Sequence, residues 1–319
     1  MIVALAGGVG GAKLASGLAE VLPPEELAVV VNTGDDFSHL GLRISPDLDT
    51  MMYTLAGLAS RELGWGIEGE SWNFMRALER LGGETWFRLG DQDLATNVER
   101  TRRLAAGETL SAITADLSRR LGVRHLIIPM TDHPVRTIVV TDEGALGFQE
   151  YFVRRRCRPR LLAIEYAGAA EASPPGELTK ILESRQFEAL IICPSNPYLS
   201  IAPILAVPGL RSRLQALKAP KIAVTPIVAG RAVKGPAAKI MRELGRESSA
   251  LEVARHYGGF VDGFVLDAQD RQLKAPIEAL GQKVLTVNTV MESSADRAAL
   301  ARATLQFAAE TALLRSSGR

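Results

Sequence analysis

A five-residue apolar run, Ile2 to Ala6, opens directly into Gly7-Gly8-Val9-Gly10-Gly11-Ala12-Lys13, and a second apolar run, Leu27 to Val31, follows about one helix later. Between them Leu14, Leu18 and Val21 recur at helical spacing until Pro23-Pro24 stops the pattern. The valine-rich second run has no polar alternation, as expected of a strand covered on both faces. Strand, glycine turn, helix and strand make the opening βαβ unit of a doubly wound sheet, whose ligands bind outside the carboxyl ends of the strands. The unit predicts a Rossmann-like α/β fold with a mostly parallel sheet.

The glycine turn narrows the chemistry by what it lacks. A Walker A loop needs Gly-Lys followed by Ser or Thr, whereas here Ala12 precedes Lys13 and Leu14 follows it. The dinucleotide fingerprint wants a third glycine where Lys13 stands and an acid where Asn32 stands. Ordinary P-loop and NAD chemistry are therefore disfavoured. Gly8, Gly10, Gly11 and Lys13 remain candidates to receive phosphate oxygens at the helix start. The plain alternative is a tight turn that needs glycine for its angles alone.

Asn32 to Thr50, NTGDDFSHLGLRISPDLDT, gathers Asp35, Asp36, Asp47 and Asp49 between a strand exit and a helix entry. Ser45 reads as an N-cap with Pro46 at the first helical position, and Asp47 and Asp49 suit the positive end of that helix. Capping and an Asx-type turn would explain any one of them. Four together repel unless a proton or cation joins them, and magnesium, which takes one or two carboxylates and completes its shell with water and substrate phosphate, fits best.

Composition sets the remaining bounds. Against 37 Lys+Arg stand 36 Asp+Glu, a net charge of +1 that argues against a nucleic-acid binder. Cys157 and Cys193 are far apart, without metal-ligand spacing, and fit a reducing compartment. Met1 to Ala6 is too short for a signal peptide or membrane span, so a cytoplasmic protein is expected.

Further along, Met51, Met52, Leu55 and Leu58 form a helical stripe suited to a core. Ser71 reads as the cap of a helix carrying Phe74, Leu78 and Leu81. Asp93 reads as the cap of the helix that follows Trp86-Phe87-Arg88-Leu89-Gly90-Asp91, with Arg88 and Asp91 able to pair at the surface. Helices over 94–106 and 110–121 complete a helical insertion at about 60–121. His125 to Met130 resumes the sheet, and Val135 to Thr141 with Ala145 to Phe152 predicts a β-hairpin about Asp142-Glu143-Gly144. Ala163 to Tyr166, Ala189 to Cys193, Lys221 to Ile227, Phe260 to Leu266 and Lys283 to Asn288 continue the strands, and Ser294 to Leu314 closes the chain as a helix. Pro194-Ser195-Asn196-Pro197 stands at a strand exit, where Ser195 and Asn196 offer neutral donors to a phosphate or base; Val233-Lys234-Gly235-Pro236-Ala237 reads as a second anion cradle. With no repeat or long linker, residues 1–319 form one α/β domain.

AGGVGGAK, VNTGDD, ISPDLDT, RLGDQDLAT, IIPMTDHPVRT and CPSNPYLSIAPIL, in that order, resemble the 2-phospho-L-lactate transferase family of deazaflavin coenzyme F420 biosynthesis. The pair ISPDLDT and RLGDQDLAT is its most specific part. The resemblance implies a homodimer and a magnesium-dependent transferase, with manganese as an alternative ion. It would move a phospho-organic-acid unit (phospholactate, phosphoenolpyruvate or 3-phosphoglycerate type) from a guanosine diphosphate conjugate to the ribitol hydroxyl of the deazaflavin Fo, releasing GMP. It further implies that Asp49 and Arg88 bind Fo, that Asp35 and Asp47 hold the metal, and that Asp47 and Asp49 serve catalysis. A related set of regulatory proteins that bind a nucleotide-sugar without transferring it is the alternative, as is another nucleotide-dependent or NAD enzyme on the same fold.

Overall fold

A computed structural model of the chain describes residues 1–317 with the exception of 61, 185, 233 and 234. The opening unit forms as the residues dictate: strand β1 (Ile2–Ala6), helix α1 (Gly8–Val21) and strand β2 (Leu27–Val31), with both strands buried along their whole length. A hairpin of β3 (Phe37–His39) and β4 (Leu42–Ile44) then leads into α2 (Pro46–Leu55). The insertion supplies α3 (Asn73–Arg80), α4 (Asp91–Ala105) and α5 (Leu110–Arg120) before β5 (Leu126–Pro129). Next come β6 (Arg136–Thr141), β7 (Gly144–Gly147), β8 (Leu161–Ala167), β9 (Ala189–Ile192) and β10 (Lys221–Val224). A two-residue pair, β11 (Ile227–Val228) with β12 (Arg231–Ala232), precedes β13 (Gly263–Asp267), β14 (Lys283–Val287) and the closing helix Ser294–Ser317.

The main sheet has seven parallel strands in the order β14-β13-β10-β9-β1-β2-β5. The chain therefore winds outward from β1 through β2 to β5, returns, and winds outward again from β9. That reversal puts the topological switch point between the carboxyl ends of β1 and β9, where doubly wound sheets bind their ligands. The seven strands confirm the Rossmann-like reading.

Alternation along each strand divides the core into two layers. Val3, Leu5, Ala28 and Val30 face one side with Leu178, Ile181, Val253 and Phe264. Ile2, Ala4, Val29 and Val31 face the other with Leu14 and Leu18 of α1, Leu48, Met51 and Met52 of α2, and Leu300 and Ala301 of the closing helix. Each valine, leucine, isoleucine, methionine or phenylalanine among them contributes about 1.5–3 kcal/mol by leaving water, before entropy is counted.

Several boundaries differ from the sequence reading. Residues 163–166 belong to β8, which joins β6 and β7 in a separate three-stranded antiparallel sheet rather than the main one. The hairpin's second strand ends at Gly147, because Gln149 already takes helical angles and leads into a wide helical turn at Glu150–Arg154. The β3–β4 hairpin inside the acidic stretch has no counterpart in the sequence reading: Leu40 and Gly41 make its turn with φ of 52° and 76°, and leucine is an uncommon residue for the first of those positions. Of the anion cradle expected at 233–237, Val233 and Lys234 lie outside the described residues.

Gly17 fixes how closely α1 can approach the closing helix, since a Cβ there would lie 2.2 Å from the Arg297 carbonyl oxygen. Overpacking of this kind costs about 1–3 kcal/mol, against a helix-propensity gain of roughly 1 kcal/mol for alanine. Gly17→Ala is expected to lower the midpoint of urea unfolding; an unchanged or raised midpoint would show that the two helices are not in tight contact.

Candidate active site at the carboxyl ends of β1, β2 and β9

The loops that follow β1 and β9 touch. Gly7 N donates to Ser195 Oγ at 3.1 Å, and a Cβ on Gly10 or Gly11 would lie 2.4 Å from Pro194 O or Ser195 Oγ. Two of the three clustered glycine candidates are thus required by close packing against the β9 exit, while Gly8, with φ of 65° and open space around its Cα, is required by its angle. Asn196 Oδ1 accepts from the Tyr198 and Leu199 amides, while its Nδ2 is buried without a partner. Lys13 Nζ donates to the Met291 carbonyl at 2.6 Å, so its ammonium is engaged in tying α1 to the segment before the closing helix.

All four aspartates of the acidic stretch are buried, at 5–9% exposure. Asp47 lies in the first turn of α2 but serves α1: its Oδ1 accepts from Gly8 N at 2.8 Å and its Oδ2 from Asn32 Nδ2 at 2.9 Å. The anion at the start of α1 is therefore the protein's own carboxylate, and the Gly8 N–H assigned to phosphate from sequence is already donated. Ser45 stands before α2 without capping it; its hydroxyl donates instead to Asp36 Oδ2 at 2.7 Å. Asp35 Oδ1 and Asp36 Oδ1 are buried with no partner.

Burial sets the electrostatics. It pushes the Asp36 carboxyl up to about 7 and the Asp47 carboxyl up to about 6, and it raises Asp35 well above the ordinary value, with help from the Asp47 charge. Among the described residues none of these three is in an ion pair with a basic side chain, whereas Asp49 is paired with the fully buried Arg100. Nη1 of Arg100 donates to Asp49 Oδ2 at 3.1 Å and Nη2 donates to Oδ1. Asp35 and Asp47 thus present two carboxyl groups without a basic partner and one orphaned oxygen, which fits a cation in place of a proton. No group of three His, Cys, Asp or Glu side chains among the described residues is gathered to hold a metal by itself. The donor set suits a magnesium-type ion that draws most of its ligands from water and substrate.

The RLGDQDLAT segment lies at the start of α4. Arg88 is exposed, with its guanidinium 4.2 Å from the centroid of the Trp72 ring. The surface pair between Arg88 and Asp91 considered from sequence is not formed. Asp91 instead accepts from Ser71 Oγ, Asn73 N and Phe74 N, so it caps α3 in place of Ser71. Nor does Asp93 cap α4; Glu70 does, accepting from the Gln92 and Asp93 amides at 2.9 and 2.8 Å. Asp93 is buried and accepts from the Tyr53 hydroxyl at 2.8 Å. Burial, and next the Asp49 charge, pushes its carboxyl up to about 7. Tyr53, Asp93, Asn97 and Arg100 escape sequence reasoning, although Asp93, Asn97 and Arg100 follow one another at i, i+4 and i+7 and so mark a polar stripe on one helix face.

A doubly wound sheet with buried carboxyl groups gathered beside its reversal point defines an α/β protein with a candidate ligand site at the carboxyl ends of its strands. The sequence profile of the family described as 2-phospho-L-lactate transferase CofD matches residues 2–305, and the chain belongs to that family. It is 42% identical to a phosphoenolpyruvate transferase of Streptomyces griseus, over 97% of this chain and 98% of that one. It is 38% identical to a 2-phospho-L-lactate transferase of Methanosarcina mazei, over 96% and 99%. A crystal structure of a UPF0052-family protein from Bacillus halodurans shares the fold with a TM-score of 0.60 at 16% identity, covering 95% of this chain and 98% of that one. No helix among the described residues is long and apolar enough to cross a membrane.

The capping role of Asp91 carries a pH signature. Hydrogen bonds from Ser71, Phe74 and Asn73 hold its carboxyl down at about 2, below the ordinary 3.8. A depressed carboxylate adds stability above its unfolded value and loses it as pH falls through the folded value. The melting temperature of Asp91→Asn should therefore lie below wild type at neutral pH, and the two should converge between pH 3.8 and about 2. Equal melting temperatures at pH 7 would remove the cap.

Proposed function

We propose that this protein transfers a phospho-organic-acid unit from its guanosine diphosphate conjugate to the terminal ribitol hydroxyl of the deazaflavin Fo, releasing GMP, as a step of coenzyme F420 biosynthesis. The observation that carries this reading is the pair Asp35 and Asp47, buried at 6% and 7% exposure beside the β1/β9 switch point of a chain matched by the transferase family from residue 2 to residue 305. A regulatory, binding-only role is disfavoured by the whole-chain match to transferases, and the UPF0052 likeness speaks to the fold alone.

In this reading the ribitol oxygen attacks the phosphorus that bears the organic acid, the bond from that phosphorus to the oxygen bridging to GMP breaks, GMP leaves with the bridging oxygen, and the hydroxyl proton is lost. Such transfers depend on positioning and charge neutralisation more than on covalent help. A bound magnesium-type ion would neutralise diphosphate oxygens, with Asp35 and Asp47 as its protein ligands. Asn32 and Gly8 hold Asp47 in place from both of its oxygens. Asn196 Nδ2, which has no partner among the described residues, is a neutral donor that the β9 exit offers to the donor substrate. Asp49, already gripped through both oxygens by Arg100, acts as an acceptor that orients the ribitol hydroxyl. Arg88, spread over Trp72 at the surface, offers its guanidinium to the other end of Fo.

The reading is tested by offering Fo with the lactyl, enolpyruvyl and glyceryl guanosine diphosphate conjugates together and following products by mass spectrometry. GMP should appear only with Fo present and stop when divalent cations are chelated, and Asp47→Asn should lose at least about tenfold in turnover, a loss of roughly 1.4 kcal/mol in transition-state stabilisation. Conjugate binding without Fo-dependent GMP release would leave a binding protein instead, and full activity of Asp47→Asn in excess chelator would dismiss the metal assignment.

Arg88→Ala separates binding from chemistry. Loss of a contact made equally to bound Fo and to the transition state raises the Michaelis constant and spares turnover. The variant should show a raised KM for Fo, a smaller fall in kcat and an unchanged KM for the conjugate; unaltered constants would take Arg88 out of the site.

A further inference from the structure

The contact between α2 and α4 is polar where an apolar seam would serve. Arg100 is 1% exposed and spans the interface to hold both oxygens of Asp49. Its own position is fixed in turn, since Nη1 also donates to Asn97 Oδ1 at 2.7 Å, and Asn97 Nδ2 donates to the Asp93 carbonyl at 2.9 Å. Asp93 accepts from Tyr53, which lies one turn beyond Asp49 on α2, so the network leaves α2 and returns to it.

Stability is a poor reason for this arrangement. Desolvating two charges offsets much of their attraction, and a buried ion pair can often be replaced by apolar side chains of like volume without loss. What the network does supply is orientation. A guanidinium fork binds a carboxylate in one plane, which a lysine ammonium does not. The fork uses one lone pair on each oxygen and leaves the others for a further donor.

We infer that Arg100 is a positioning residue for the transfer reaction, acting through Asp49 by holding its carboxylate in the plane that receives the acceptor hydroxyl, with Asn97, Asp93 and Tyr53 as the brace behind it. The inference rests on Asp49 being the group that orients the acceptor. Arg100 itself need touch neither substrate. An error of about 1 Å in such a placement can cost on the order of a hundredfold in rate, which is why a braced fork suits this position.

A double-mutant cycle tests it: Asp49→Asn, Arg100→Met and the two combined, with Arg100→Lys as a fourth variant. For each, kcat, both Michaelis constants and the melting temperature are measured. The single variants each leave one buried group without its partner and should melt early. The combined variant leaves no unpaired charge, so its melting temperature should return toward wild type while kcat stays down by about a hundredfold. Arg100→Lys should keep the KM for the conjugate and lose kcat by about tenfold or more, since it preserves charge without the fork. Recovery of turnover together with melting temperature in the combined variant, or wild-type kcat in Arg100→Lys, would reduce the pair to a structural one. A wild type that releases no GMP with Fo in the same assay would instead refute the transferase reading, and this inference with it.

Discussion

Four carboxylates buried at the exit of one parallel strand repel one another, and much of the surrounding architecture makes that burial tolerable. Each is treated differently. Asp49 receives a full counter-charge from Arg100, Asp36 a hydroxyl from Ser45, and Asp47 an amide from Asn32 and the first N–H of α1. Asp35, like Asp36, keeps one oxygen with no partner among the described residues. Because burial disfavours the charged form, the cluster holds a proton or a cation more readily than carboxylates in water.

The same arrangement gives the site two sides. On one, the glycine turn and the β9 exit meet so closely that Gly10 and Gly11 admit no Cβ. On the other, the β3–β4 hairpin and the insertion join through a small cluster of Ile44, Met75 and Leu89 with Phe37, Trp72 and Phe87 around it. That cluster carries the segment bearing Arg88, and the α2–α4 network sets the same insertion against the acidic stretch. Strand β6 is tied to the acidic stretch, with Thr137 N donating to the Gly34 carbonyl at 2.6 Å.

The sequence carried the outline of this site further than its wiring. Apolar runs without alternation identified parallel strands, and the order ISPDLDT then RLGDQDLAT marked two segments that the structure joins through α2 and α4. Local rules misassigned the caps. Ser45, Ser71 and Asp93 each stand where a cap is favoured, yet Ser45 bonds Asp36, Ser71 bonds Asp91 and Asp93 bonds Tyr53, because partners brought from distant segments outcompeted the local amides. Glu70 and Asp91 took the capping positions from 17 to 23 residues away along the chain.

By itself the sequence determined the βαβ opening, the buried strands and the concentration of acid at one strand exit, because hydrophobic period and turn chemistry act over a few neighbouring residues. Only the tertiary structure decided that Asp47 would close the start of α1, that Arg100 would hold Asp49, and that Gly10 and Gly11 would lie against Pro194 and Ser195. These are pairings across 39, 51 and some 184 residues, and their energies depend on which groups lose water together when the layers pack, a quantity no local stretch contains.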